Sequence, residues 1–234
     1  TTAFTKDKVL LWHMNGKQES MFTRFAFSPK ASAELKDEAA VLYSAGKLSN
    51  ELISAPKCLS NSMFHFTQTD VMNERITKTD RINQIPEKAF TMWLETDLKE
   101  ATIEDSEWFE KTVRTAESMN EWKDKRIAES FCFKYATLVS FLKSRHSMQV
   151  STAHGDFTPW NIYMEQDKLV MIDWELFETQ MPALYDAFHF VYQSNSLAGL
   201  KPYAQIRKEL DELFAQPQWK KFISKHNICT ELAE

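Results

Sequence analysis

Two short apolar runs open the hydrophobic pattern of this chain: VLLWHM at residues 9–14 and MFTRFAF at 21–27, both carrying β-branched and aromatic side chains. Asn15, Gly16, Lys17 and Gln18 lie between them, and an Asn-Gly pair flanked by such runs predicts a β-hairpin. The period then lengthens. Leu35, Ala39 and Leu42 recur at helical spacing behind Ser28, a residue type that caps helix N-termini, and Pro29, which suits the first helical position. Gly46 is expected to close this helix as the residue just past its end. Residues 52–72 read as short strands and loops. Residues 73–106 are polar without a sustained period and predict an irregular connection.

Farther on, Phe109, Val113 and Ala116 mark one amphipathic helix, and Ile127, Phe131, Tyr135, Leu138 and Leu142 mark a longer one whose apolar stripe must face a core. The pattern turns extended over QVSTAHGDFTPWNIYM, the turn EQDK and LVMID, which read as a hairpin flanked by loops. It returns to helix in the tail, with Ile206, Leu210, Leu213 and Phe214. Strands with one helix, then helices, a loop-rich hairpin and more helices predict an α+β protein of two lobes. The smaller, β-rich lobe is expected at 1–72, and the larger, mostly helical one at 73–234.

Composition narrows the class of partner. Of 234 residues, 28 are Lys or Arg and 33 Asp or Glu, a formal charge of -5, so no basic surplus points to nucleic acid or an anionic membrane surface. A small-molecule partner is favoured. No run approaches the roughly 20 apolar residues of a membrane span, and TTAFTKDKVLLW lacks a signal-peptide layout, so the expected compartment is the cytoplasm. Cys58, Cys132 and Cys229 are odd in number and show no CxxC spacing, which favours neither a disulfide framework nor a zinc site.

Chemistry is concentrated in His154-Gly155-Asp156-Phe157-Thr158-Pro159-Trp160-Asn161 and, twelve residues later, Asp173 at the end of Val170-Met171-Ile172. Phosphoryl transfer asks a protein for positioning, for a carboxylate that orients an acceptor hydroxyl and takes its proton, and for Mg²⁺ to neutralise phosphate charge. Asp156 can supply the carboxylate. Asn161 and Asp173 offer the hard oxygen donors that Mg²⁺ prefers. Taken alone, Asp156 and Asn161 also read as an Asx-turn pair bracing a loop around Pro159. Matching spacing across the whole set favours the chemical reading over that one.

The segment HGDFTPWNIYM, with VMIDWE after it, resembles the signature of the aminoglycoside phosphotransferase and choline kinase superfamily, whose D-x-x-x-x-N loop is shared with protein kinases. That resemblance implies a kinase-like fold, Asp156 as catalytic aspartate, Asn161 and Asp173 as metal ligands, and His154 as a structural support of the loop. It further implies that Asp186, in PALYDA, buttresses the catalytic loop from a helix start. Upstream, MFTRFAFSPKASAELKDEAAVL is similar to the family's third strand and following helix, in which a lysine on the strand pairs with a glutamate on the helix and touches nucleotide phosphates. The matching positions are Arg24 and Glu38.

Two departures stand out. Arginine replaces lysine at residue 24, and its planar fork is not interchangeable with a compact ammonium. None of the four glycines clusters ahead of VLLWHM, where the family carries a phosphate-covering loop: either residues upstream of Thr1 have been lost, or the loop works without glycines, or ATP is not turned over. The implied activity is an ATP- (or GTP-) and Mg²⁺-dependent phosphorylation of a hydroxyl on a sugar, aminoglycoside or amino alcohol. The departures motivate the alternative of a catalytically silent kinase-like module that binds nucleotide or a protein. His13, His65, His146, His189 and His226 show no ligand spacing and read as structural or solvent-facing, and Trp160 and Trp174 read as core.

Overall fold

The computed structural model describes residues 2–5, 7–14, 16, 19–119 and 129–228. These form an α+β architecture that opens with β1 (Thr2–Thr5), β2 (Lys8–Met14), β3 (Ser20–Ala26) and helix α1 (Pro29–Gly46). Short strands β4 (Ile53–Ser54), β5 (Cys58–Asn61), β6 (His65–Thr69) and β7 (Thr77–Lys78) lead to helix α2 (Glu87–Leu94). After them come β8 (Lys99–Thr102), α3 (Glu107–Met119) and α4, described over Glu129–Ser144. Then follow β9 (Ser147–Ala153), β10 (Ile162–Glu165), β11 (Lys168–Met171), β12 (Glu178–Pro182), α5 (Tyr185–Gln193), α6 (Tyr203–Phe214) and α7 (Pro217–Lys225).

The chain divides into two compact units. One comprises Thr1–Trp93, His154–Phe177 and Asp186–Leu210; the other comprises Leu94–Ala153, Glu178–Tyr185 and Asp211–Glu234. In the first unit an antiparallel sheet runs in the order β1-β2-β3-β6-β5, and α1 packs on it through Ala31, Leu35, Ala39 and Leu42. The helix starts as its sequence dictates: Ser28 is extended and its hydroxyl accepts from the Ala31 amide, with Pro29 next in line. A second sheet runs β4-β11-β10-β7, with β11 inside it, and Leu169, Val170 and Met171 of that strand are buried. In the second unit the sheet β12-β9-β8 carries α3, and Ile103, Phe109 and Leu142 form the core.

Several expectations need correction. Gly46 lies within α1, and Lys47 is the cap, with right-handed backbone and an amide that reaches Ser44 and Ala45; no glycine is required because the chain leaves without a left-handed residue. The stretch 73–106 is not irregular: it holds β7, α2 and β8, and α2 buries Ala89, Phe90, Trp93 and Leu94. Its largest apolar group falls on that one short helix, too brief to show a period against the polar background. On α4 only Val139 and Leu142 of the apolar residues are buried, while Phe131 is 50% exposed, so the expected stripe is a core face only at its C-terminal end. Ile127, Cys229 and, apart from Gly16, the hairpin turn at 15–18 lie outside the described residues. Cys58 and Cys132 are half-buried free thiols. Among the described residues no helix is long and apolar enough to cross a membrane.

Candidate active site

The site is built on an aromatic floor within the first unit. Phe157, fully buried, stacks on Phe90 of α2 with ring centroids 5.5 Å apart and touches Phe190 of α5 at 5.9 Å. Trp174 meets Trp93 edge-on at 5.7 Å and the His154 ring at 4.7 Å. Such rings bury large apolar area and interlock in few orientations, so the loop above them has little freedom. Gly155 follows from this crowding: its φ is +83°, and a Cβ there would sit 1.9 Å from the Leu176 carbonyl oxygen.

Asp186, at the start of α5, is the buried anchor of the loop. Its Oδ2 accepts from the His154 amide at 2.7 Å and from Trp93 Nε1 at 2.8 Å, and its Oδ1 accepts from the Gly155 amide at 3.2 Å. Burial pushes its carboxyl up to about 6 against those three donors. Burial likewise pushes His154 down to about 4, and its Nε2 bonds the Ile172 carbonyl at 2.9 Å, which makes it a neutral tie between the loop and the end of β11. A second tie runs from the Ile172 amide to the Asn161 carbonyl at 3.0 Å.

Asp156 stands above this frame, half-buried. Asn161 Nδ2 donates to its Oδ2 at 2.8 Å and to its backbone oxygen at 3.1 Å, which leaves the Asn161 Oδ1 as the amide atom not spent on Asp156. His189 Nε2 lies 3.3 Å from the other carboxylate oxygen. Asp173 leaves β11 with φ 63°, a left-handed turn that Asp tolerates and that cluster at functional positions. Burial, and after it the neighbouring Asp156 and Glu38 charges, push the Asp173 carboxyl up, while Arg24 opposes the shift. Arg24 Nη1 pairs with Glu38 Oε2 at 2.8 Å, and Nη2 is 3.9 Å from Asp173 Oδ1. Arg24, Glu38, Phe66, Gln68, Asp173 and Trp174 line one polar hollow.

All seven positions singled out from the sequence, Arg24, Glu38, His154, Asp156, Asn161, Asp173 and Asp186, thus fall in the first unit, joined by the bonds above. Sequence reasoning missed three more. His189 lies three residues after Asp186, on the same helix face, and that spacing was the available signal. Trp93 sat in the stretch set aside as a connection. Lys8, at the head of β2, places Nζ 2.6 Å from Glu38 Oε1. Trp160 is partly exposed rather than core, whereas Trp174 is buried.

The donor set fits the cofactors that the resemblance implies. Asp173 and the Asn161 Oδ1 are hard oxygens, and Arg24 Nε is a buried donor without a hydrogen-bond partner among the described residues. Among the described residues no three His, Cys, Asp or Glu side chains converge as a metal cage.

No family model matches the sequence, and no curated protein does. Solved structures do match. A macrolide 2'-phosphotransferase type I aligns over 97% of this chain and 80% of its own, at 11% identity and a TM-score of 0.58. The macrolide 2'-phosphotransferase MphH of Brachybacterium faecium aligns over 92% and 82% at 10% identity with a TM-score of 0.56, and the choline kinase LicA of Streptococcus pneumoniae over 96% and 72% at 14% with a TM-score of 0.54. The chain shares the kinase-like fold of these two phosphotransferases and of this choline kinase. In that kinase-like fold the β-rich part comes first and the helical part, with its own strands, follows, as it does here.

Proposed function

We propose that this protein is a Mg²⁺-dependent phosphotransferase that uses ATP or GTP to phosphorylate a hydroxyl of a small molecule, a sugar, aminoglycoside or amino alcohol. The observation that carries the reading is the convergence of Asp156, Asn161 and Asp173 in one compact unit, with Arg24 reaching from Glu38 toward Asp173. A scaffold has no chemical need for that set, which clusters like charges at a cost.

Asp156, its Oδ2 fixed by Asn161, orients the acceptor hydroxyl. As that oxygen bonds to the terminal phosphorus and the bond to the bridging oxygen breaks, the hydroxyl proton passes to the Asp156 carboxylate and the nucleoside diphosphate leaves. Asn161 Oδ1 and Asp173 would hold Mg²⁺, which when bound neutralises phosphate charge. Arg24 clamps phosphate as a planar donor in place of the family's ammonium. His154 and Asp186 keep the loop in place.

Two variants separate the roles. Asp173→Asn is expected to lower Mg²⁺-dependent nucleotide affinity and turnover together; Asp156→Asn is expected to keep affinity and lose roughly 10²–10⁴-fold in turnover. Calorimetric titration with a non-hydrolysable ATP analogue at fixed Mg²⁺, with turnover measured across sugars and amino alcohols, decides it. Equal loss of binding in both variants overturns the division of labour. If the wild-type chain binds neither ATP nor GTP, the silent-module reading takes over.

A further inference from the structure

One helix holds the loop around Asp156 residue by residue. From α5, Asp186 accepts the amides of His154 and Gly155, and Phe190 lies against Phe157 with ring centroids 5.9 Å apart. Asp156 falls between those contacts, and α5 reaches it as well. His189, three residues beyond Asp186 and so on the same side of the helix, brings Nε2 to 3.3 Å from Asp156 Oδ1. The other oxygen is taken from within the loop, where Asn161 Nδ2 donates to Oδ2 at 2.8 Å.

Two features set the His189 contact apart from incidental packing. The first is its polarity. An ionised carboxylate can only accept hydrogen bonds, so His189 Nε2 carries the hydrogen and donates it. Each Asp156 oxygen thus receives a nitrogen donor, one from α5 and one from the loop, and a carboxylate that otherwise turns in a broad torsional well is fixed at both corners. A carboxylate offers about four acceptor sites, so both oxygens keep capacity for a hydroxyl. The second feature is placement. The side chains of His189 and Asp156 remain 17% and 28% exposed, whereas His154 is fully buried against Trp174 and tied to a backbone carbonyl. Packing of the aromatic floor accounts for the ring of His154; it does not account for an imidazole aimed at the carboxylate above that floor.

We propose that His189 is a positioning residue for phosphoryl transfer: with Asn161 it holds the Asp156 carboxylate in the orientation from which that group aligns the acceptor hydroxyl and takes its proton. The assignment rests on the phosphotransferase reading above. The imidazole keeps its Nε2 hydrogen throughout, and the hydroxyl proton goes to Asp156 alone. Such a contact acts on the chemical step, because a carboxylate turned away from the hydroxyl loses its alignment while the residues assigned to the nucleotide stay in place.

The test compares variants of the whole chain by nucleotide turnover and by calorimetric titration with a non-hydrolysable ATP analogue and Mg²⁺. His189→Ala should lower kcat by roughly 10- to 100-fold, the range of a hydrogen bond to a charged group, and leave analogue affinity within about twofold. His189→Gln, whose amide can donate in place of Nε2, should recover most of the loss. Asp156→Asn combined with His189→Ala should be no slower than Asp156→Asn alone, whereas a role in the fold makes the two losses multiply. As a check that needs no variant, side-chain nitrogen NMR of the ligand-free wild-type chain at neutral pH should show the hydrogen on His189 Nε2. An unchanged kcat in His189→Ala, losses that multiply, or a hydrogen on Nδ1 alone overturns the role of His189 while the phosphotransferase reading stands. Absence of nucleotide turnover in the wild-type chain, with every acceptor and with water alone, overturns both.

Discussion

The two ends of the candidate site are held by different forces. Around Asp156 the backbone is fixed from below by buried rings and by Asp186, which collects three hydrogen bonds in a place closed to water. Around Glu38 the groups are side chains on a sheet and a helix, joined by ion pairs that solvent partly reaches. Buried, hydrogen-bonded frames in a well-packed interior admit one arrangement, whereas surface ion pairs cost little to break and remake. In the proposed phosphotransferase, this contrast joins a rigid reaction centre, where a displacement of an ångström would matter, to an adaptable cationic end that can follow phosphate groups as they bind and leave. Three measurements probe that contrast.

The largest effect is expected from the floor. Phe157→Ala removes a ring that touches Phe90, His154 and Phe190, and is expected to cost about 3–5 kcal/mol in denaturant unfolding, with cavity formation adding to the lost burial. A loss below about 1 kcal/mol would show that the loop is not supported from beneath.

Titration sharpens the same contrast. His154, pushed down to about 4 by burial, gains a proton on unfolding; its share of stability is complete above its ordinary 6.5 and is lost as pH falls through about 4. Asp186, pushed up to about 6 by burial, behaves oppositely: its share is complete below its ordinary 3.8 and is lost as pH rises through about 6. Each is worth roughly 3 kcal/mol, and the two oppose one another, so the contributions of this pair nearly cancel between pH 4 and 6. Asp186→Asn removes one side of the balance. Its stability, followed by urea unfolding, is expected to fall by about 3 kcal/mol relative to wild type as pH drops from 6.5 to 4. Parallel curves for the two proteins would show that burial of this pair is not what sets their charges.

The cationic end should respond least. Arg24→Lys keeps a charge on Glu38 and is expected to change thermal stability by less than about 1 kcal/mol, since the pair is partly exposed, while removing the planar contact toward Asp173. A loss as large as that of Phe157→Ala would make this end as rigid as the loop and erase the contrast.

What the sequence determined by itself was whatever is encoded over short distances along the chain. His154, Asp156 and Asn161 share one loop and Asp173 follows the hairpin after it, so their spacing marked out the candidate site; Ser28 and Pro29 announced a helix start for the same reason. The strand-and-helix pattern also sufficed for the α+β class. Only the tertiary structure decided which distant side chains close around that loop. Trp93, from a stretch with no readable period, donates to Asp186; His189, which shows no ligand spacing, reaches Asp156; and Lys8 joins Arg24 on Glu38. Those partners are fixed by packing between elements 30 or more residues apart in most cases, as with Lys8 and Glu38, and sheet register and helix face are properties of the folded whole. No local pattern records them, because burial and proximity, not spacing along the chain, select the side chains that meet.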